Sequence, residues 1–126
     1  MMPIKFKVLI DKKFYEVKKI EFDEVTGEII SVVTFAKHGN PPLLILKPEI
    51  VVQFTGLHDK NGQEIYKGDV LKVLTSSNFF VEVYFHKNAM FTCREITKGA
   101  PCSQIYAKES EVVGNIYENP ELLDLK

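Results

Sequence analysis

A chain of 126 residues, 45% apolar and 26% charged, has the make-up of a soluble globular protein that is long enough to bury a core without disulfides or metal. Its 16 Lys and Arg stand against 17 Asp and Glu, a net charge of -1, so the basic surplus from which nucleic-acid binders draw most of their affinity is missing. No apolar run approaches the roughly 18 residues of a membrane span and the first ten residues lack the apolar centre of a signal peptide, so the expectation is a soluble, cytoplasmic protein with no membrane contact.

In chain order, Ile4–Ile10 alternates apolar and basic residues and predicts a strand with one solvated face. Asp11-Lys12-Lys13 makes a polar turn. Phe14–Phe22 admits a helix, because Phe14, Val17 and Ile20 fall three apart, but its β-rich neighbours favour a strand. Asp23–Gly27 is a turn with Gly27 available for a positive φ, and the β-branched run Glu28–Ala36 predicts a third strand. Together these make a small antiparallel meander. Pro41 and Pro42 lack donors and end it, and Lys47-Pro48 breaks the chain again. The lobe boundary is placed in this connection, giving residues 1–49 as an N-terminal β lobe and 50–126 as a second domain.

Ile50–Phe54 reads as a short strand leading into Phe54–Val73, a stretch dense in turn residues. Asp59 and Asn61 are predicted to bond nearby backbone while Gly62 takes a left-handed conformation, forming a two-residue hairpin tip. Gly56, Gly68 and Asp69 complete the set of expected structural turn positions, with Lys67-Gly68-Asp69 launching the next strand. Asp69–Thr75, Phe79–Phe85 and Ala89–Ile96 are strands separated by hairpin-length connections. Ser103–Ala107 is a fourth and Glu111–Tyr117 a fifth. Five short strands leave costly edges, and closure into a small barrel is the expected solution. Asn119 is placed to cap a short terminal helix with Pro120 in its first turn.

Candidate chemistry is sparse. Asp59-Lys60-Asn61-Gly62 resembles the start of a calcium loop, but the glycine falls at the fourth position, and Val70 stands where a bidentate Glu is needed. His38, His58 and His86 lie in or beside predicted loops without a ligand-type spacing, which predicts no metal site. Ser76, Ser77, Ser103 and Ser110 lack a nucleophile motif, the glycines are scattered singly, and no cofactor is expected. Cys93 and Cys102 read as two reduced, partly buried thiols, with a hairpin disulfide as the alternative if they face each other across strands. In Phe79–Phe85 alternation puts Phe79, Val81, Val83 and Phe85 in the core. Phe80 and Tyr84 then share the opposite face with Glu82, a carboxylate that would repel phosphate, so they form the candidate interaction face for a protein.

Thr55-Gly56-Leu57, Asp59-Lys60-Asn61-Gly62, Glu64-Ile65-Tyr66, Gly68-Asp69 and the run Val113–Leu122 stand in an order and spacing that resembles the YopX family of phage and prophage proteins. The resemblance covers most of the chain, including the first strand. It is loose between Lys37 and Glu49, and a Trp frequent in the family after the first strand is absent. It implies an SH3-like barrel for the C-terminal part and a bacterial mobile element as the origin, and it supplies no catalytic or binding residues. The expectation is therefore a mainly β protein: an SH3-like five-stranded barrel, a small N-terminal β-meander and a short C-terminal helix. Its expected role is a non-enzymatic interaction module whose partner is a protein, a second copy of itself included, with a nucleic-acid-associated role as the alternative.

Overall fold

The computed structural model describes residues 3–37, 39–75, 78–86, 90–96, 102 and 105–124. The chain divides into two compact units, one of Ile4–Gln53 and one of Phe54–Lys126 together with Met1–Pro3. In the first, β1 (Phe6–Ile10), β2 (Lys13–Phe22) and β3 (Ile29–Thr34) form the antiparallel meander read from their alternation. Asp11 and Lys12, at φ 49° and 68°, supply the two positive φ values that a tight hairpin of this hand requires. At the next turn, Asp23 Oδ1 accepts the amides of Val25 and Thr26 at 2.9 and 2.8 Å, and Gly27 sits at φ 74°. Phe14–Phe22 is strand throughout, because Val17–Phe22 pairs with β3 and the preceding residues pair with β1.

The proline-rich connection folds back within this unit. It adds a three-residue edge strand, β4 (Leu44–Leu46), antiparallel to β3, and β5 (Val51–His58) returns beside β1. The order is β4-β3-β2-β1-β5. Val8, Val32, Val52 and Thr34 are buried in this unit.

Strand β5 continues to His58 and so enters the second unit, where it pairs with β6 (Glu64–Tyr66). Next come β7 (Asp69–Val73), β8 (Phe79–His86), β9 (Met90–Glu95) and β10 (Ser110–Asn115), assembled in the order β10-β7-β8-β9 with all neighbours antiparallel. Ile65, Leu71, Val73, Val81, Val83 and Cys93, all at 0% exposure, form its core cluster, with Phe79, Ile105, Tyr106 and Val112 packed against it. Two short 3-10 helices, Ala107–Glu109 and Pro120–Asp124, flank β10.

Three expectations are corrected. Among the described residues the four strands form an open sheet, not a closed five-stranded barrel. Ile105 and Tyr106 are not strand and Ala107 opens a 3-10 helix, while Ser103 and Gln104 lie outside the described residues. Phe85, expected in the core, is 49% exposed and instead meets the Phe91 ring edge to face at 5.1 Å.

The edges of the open sheet are covered by other means. On β10, the carbonyl of Ser110 accepts the Lys60 amide at 3.0 Å, and the Val112 amide donates to Asp59 Oδ2 at 2.9 Å. On β9, the carbonyl of Cys93 accepts the Cys102 amide at 2.8 Å. Local groups thus satisfy edge positions that barrel closure would otherwise pair.

Candidate interaction face

The turn-rich stretch resolves into three structural devices. Asp59, 7% exposed, accepts Asn61 and Gln63 amides on Oδ1 at 2.8 and 2.9 Å in addition to the Val112 amide on Oδ2. Burial pushes its pKa up, but the amide bonds from Val112, Gln63 and Asn61 and the nearby Lys60 charge outweigh it and hold the carboxyl below its usual value. Gly62 sits at φ 82°, and the loop between β5 and β6 spans Asp59–Gln63, longer than the two-residue tip expected. The two-residue connection occurs instead at Lys67-Gly68, with the Tyr66 amide bonded to Asp69 Oδ2 at 2.8 Å. Gly56, at φ 89°, lies within β5 at a shift of register between Phe54 and His58, so it marks a bulge, not a turn.

At the other end of the chain, Asn115 Oδ1 accepts the amides of Tyr117 and Glu118 at 3.0 and 2.7 Å. The Asn119 side chain accepts the Asn115 amide at 3.3 Å, and the Asn119 carbonyl accepts the Leu122 amide at 3.0 Å. The residues that carry the sequence signature are accordingly occupied in holding strands and turns together.

The solvent-facing side of the four-stranded sheet is chemically richer. The β8–β9 register sets Glu82 opposite Arg94 and Tyr84 opposite Thr92. Arg94 lies over the Tyr84 ring with its Cζ 4.3 Å from the centroid, and its Nε reaches Glu82 Oε1 at 3.5 Å. The Glu82 side chain is 14% exposed and that of Arg94 44%. A carboxylate thus orients a guanidinium while the aromatic ring supports its flat face. Lys67 Nζ donates to the Tyr117 hydroxyl at 3.5 Å, and these groups line a cleft of about 250 Å3 together with Gly68, Val83, Phe85 and Ile116. Phe80 and Tyr84, the two aromatics expected on this face, are half-buried; Tyr84 lines the cleft, whereas Phe80 stands opposite Lys72 of β7 and is not among its lining residues.

Arg94, Lys67 and Tyr117 were not singled out by their sequence context. Counting from the connection read in the sequence, between Phe85 and Ala89, would set Glu82 opposite Thr92; the Glu82–Arg94 pair follows only from the observed register of His86 with Met90, and the approach of Tyr117 depends on the turn that follows β10. Among the described residues no group of three His, Cys, Asp or Glu side chains is placed to hold a metal ion. His58 is exposed and meets Phe54 edge to face at 5.5 Å; His38 and the side chain of His86 lie outside the described residues, as do Ser76 and Ser77. Ser110 is buried and donates to the Ala107 carbonyl at 3.0 Å. Cys93 and Cys102 are free thiols, Cys93 buried and Cys102 half-buried, and burial pushes the Cys93 thiol far up from its ordinary pKa. No helix among the described residues is long and apolar enough to cross a membrane.

The chain is similar over nearly its whole length to a known group of sequences: a family model described as "YopX protein" matches residues 5–124. A solved structure, protein EF1440 from Enterococcus faecalis, is similar at a TM-score of 0.70 and 25% sequence identity, with 98% of this chain and 99% of that chain covered. Among curated proteins none matches.

Proposed function

Because this chain belongs to the YopX family, we propose that it is a prophage-encoded, cytoplasmic protein-interaction module without catalytic activity. The observation that carries this reading is the Tyr84–Arg94–Glu82 cluster beside the cleft that Lys67 and Tyr117 line. Tyr and Arg are the residues that most often anchor protein interfaces, because each buries a large apolar area while keeping a polar end for the partner. Glu82 holds the guanidinium in place, so little side-chain freedom is lost when a partner covers it. The same carboxylate disfavours a phosphate ligand. The free thiols suit a reducing compartment. The C-terminal unit is read as an opened relative of the SH3-like barrels, a view supported by its run of short antiparallel strands.

The experiment is affinity capture from lysate of the bacterial host that carries the gene, wild type beside Tyr84→Ser/Arg94→Ser. The partner expected on wild-type resin is reduced about tenfold or more on the variant, the loss typical of an interface anchor. No captured protein, or equal capture by both, overturns the reading. Retention of a single-stranded oligonucleotide at low salt would move it to the nucleic-acid-associated alternative, for which the lysine-rich β1–β2 hairpin is the natural seat.

A further inference from the structure

The edge strands β9 and β10 have outward-facing groups occupied by Cys102, Lys60 and Asp59. Strand β4 is built differently. The Leu43 carbonyl accepts the Thr34 amide at 2.9 Å and the Lys47 amide donates to the Ile30 carbonyl at 2.8 Å, so the odd-numbered positions of this segment face β3. In an antiparallel ladder the alternate residues face the other way. The N–H and C=O groups of Leu44 and Leu46 therefore point outward from the edge, and no hydrogen-bond partner for them occurs among the described residues. Their side chains are 63% and 71% exposed and share one face with Val33 and Ser31, their register partners on β3.

We propose that β4 pairs with β4 of a second copy of this chain about a two-fold axis at Ile45. A two-fold antiparallel register with Ile45 opposite itself sets Leu44 opposite Leu46 of the second copy, and Leu46 opposite Leu44. Both are outward-facing positions, so each of the two pairs exchanges two hydrogen bonds and all four orphan groups per copy are satisfied. The four leucines fall on one face as cross-strand neighbours.

Lys47, at φ 51°, bends the chain at the end of β4, and the next positions of the leucines' parity, outside the strand, are Pro42 and Pro48. Neither has an N–H, so the ladder stops after the two leucine pairs and cannot slip by two residues without facing a proline against a leucine. Within the span from Pro42 to Pro48 the one charged side chain is Lys47, which this register sets opposite Leu43 and not opposite its own counterpart, so no like charges face each other directly. Because the contact is short, it belongs with small interfaces, and a concentration-dependent monomer–dimer equilibrium follows. The contact uses none of the Tyr84 face, so its failure leaves the partner-binding reading intact.

Sedimentation equilibrium from about 10 µM to about 1 mM, where such small interfaces populate, is expected to show the mass of wild type rising toward that of two chains. Leu44→Glu/Leu46→Glu, which sets carboxylates against carboxylates, is expected to weaken the association about tenfold or more. Register is read separately by mixing Leu44→Cys copies with Leu46→Cys copies under oxidised glutathione. Hydrogen-bonded pairs have Cα atoms about 5.5 Å apart, within disulfide reach, while Leu44 against its own counterpart is offset by two residues and beyond it. A cross-link in the mixture above either variant alone, and above wild type, is the expected result. A wild type that stays monomeric at every concentration, or cross-linking no greater in the mixture than in the separate variants, overturns the proposal even where the double-Glu variant fails to fold.

Discussion

A carboxylate as buried as Asp59 would ordinarily be pushed toward its neutral form. Three backbone amides reverse that here, one of them from Val112, fifty-three residues away on β10. Asp59 therefore does two jobs at once: it closes its own loop, and it covers part of the edge of β10. Asp59→Ala leaves the Gln63 and Val112 amides without their acceptor in a partly buried place and is expected to cost about 2 to 3 kcal/mol of unfolding free energy by denaturant titration. The pH dependence carries a separate signature. A folded-state pKa held below the unfolded value, ordinarily about 3.9, contributes stability that is fully present above the unfolded pKa and is lost as pH falls through the folded one. The stability gap between wild type and Asp59→Asn should accordingly be constant from pH 7 to pH 5 and narrow below about pH 4. A gap that does not change with pH would mean that the three amide bonds do not favour the charged form.

At the scale of elements, the close contact of Gly68 with Tyr117 fixes how β6 hands over to β7. Gly68 sits at φ 89°, and a Cβ there would lie 2.5 Å from Tyr117 Cε2. Gly68→Ala thus combines a left-handed backbone penalty with overpacking against a ring and is expected to cost about 2 to 4 kcal/mol. In a Tyr117→Ser background the steric part disappears, and the same change should cost only about 1 to 2 kcal/mol; equal costs in both backgrounds would place the penalty in the backbone alone. That Lys67-Gly68-Asp69 turns the chain is legible from residue type, whereas the ring that makes the glycine necessary is not, because it arrives from the turn after β10. The same division runs through the other elements. β1, β2, β3, β7, β8 and β9 follow from alternation and turn chemistry, which are local. β4 does not show in the sequence, because three residues between prolines carry too little pattern. Gly56 reads as a turn in the sequence because a bulge inside a strand has the same residue signature as a turn. Barrel closure was an inference about how edges are satisfied, and side-chain and loop groups at Asp59, Lys60 and Cys102 do that work on β9 and β10 instead. For the candidate face, period-two alternation separated Tyr84 from Val81 and Val83, but the cation that stacks on it depends on cross-strand register.

For the whole molecule, burial is distributed unevenly between the two units, and that sets where the fold should open first. The C-terminal unit holds Ile65, Val70, Leu71, Val73, Val81, Val83 and Cys93 at 0% exposure, with Phe54 and Tyr66 at 2% and 1%. In the N-terminal unit the residues buried to this degree are Val8, Val32, Thr34 and Val52, while Phe22, Val25, Phe35, Leu44 and Leu46 remain exposed. At about 25 cal/mol per Å2 of apolar surface removed from water, the larger set of fully buried side chains gives the C-terminal sheet the greater resistance to opening. Backbone protection against hydrogen exchange follows the free energy of the smallest opening that exposes an amide. Amides of β7 and β8, central in their sheet and flanked by strands on both sides, should exchange only through global unfolding. Those joining β3 to β4, on a three-residue edge strand with two exposed leucines, should exchange through a local opening at lower free energy and with a smaller denaturant dependence. Native-state exchange followed by NMR across low denaturant concentrations measures both quantities residue by residue. It should be done at concentrations where the chain is monomeric, since edge pairing between copies would protect the β4 amides as well. If β3–β4 amides share the free energy and denaturant slope of β7 and β8, the two units unfold as one cooperative body, and the uneven burial does not translate into uneven stability.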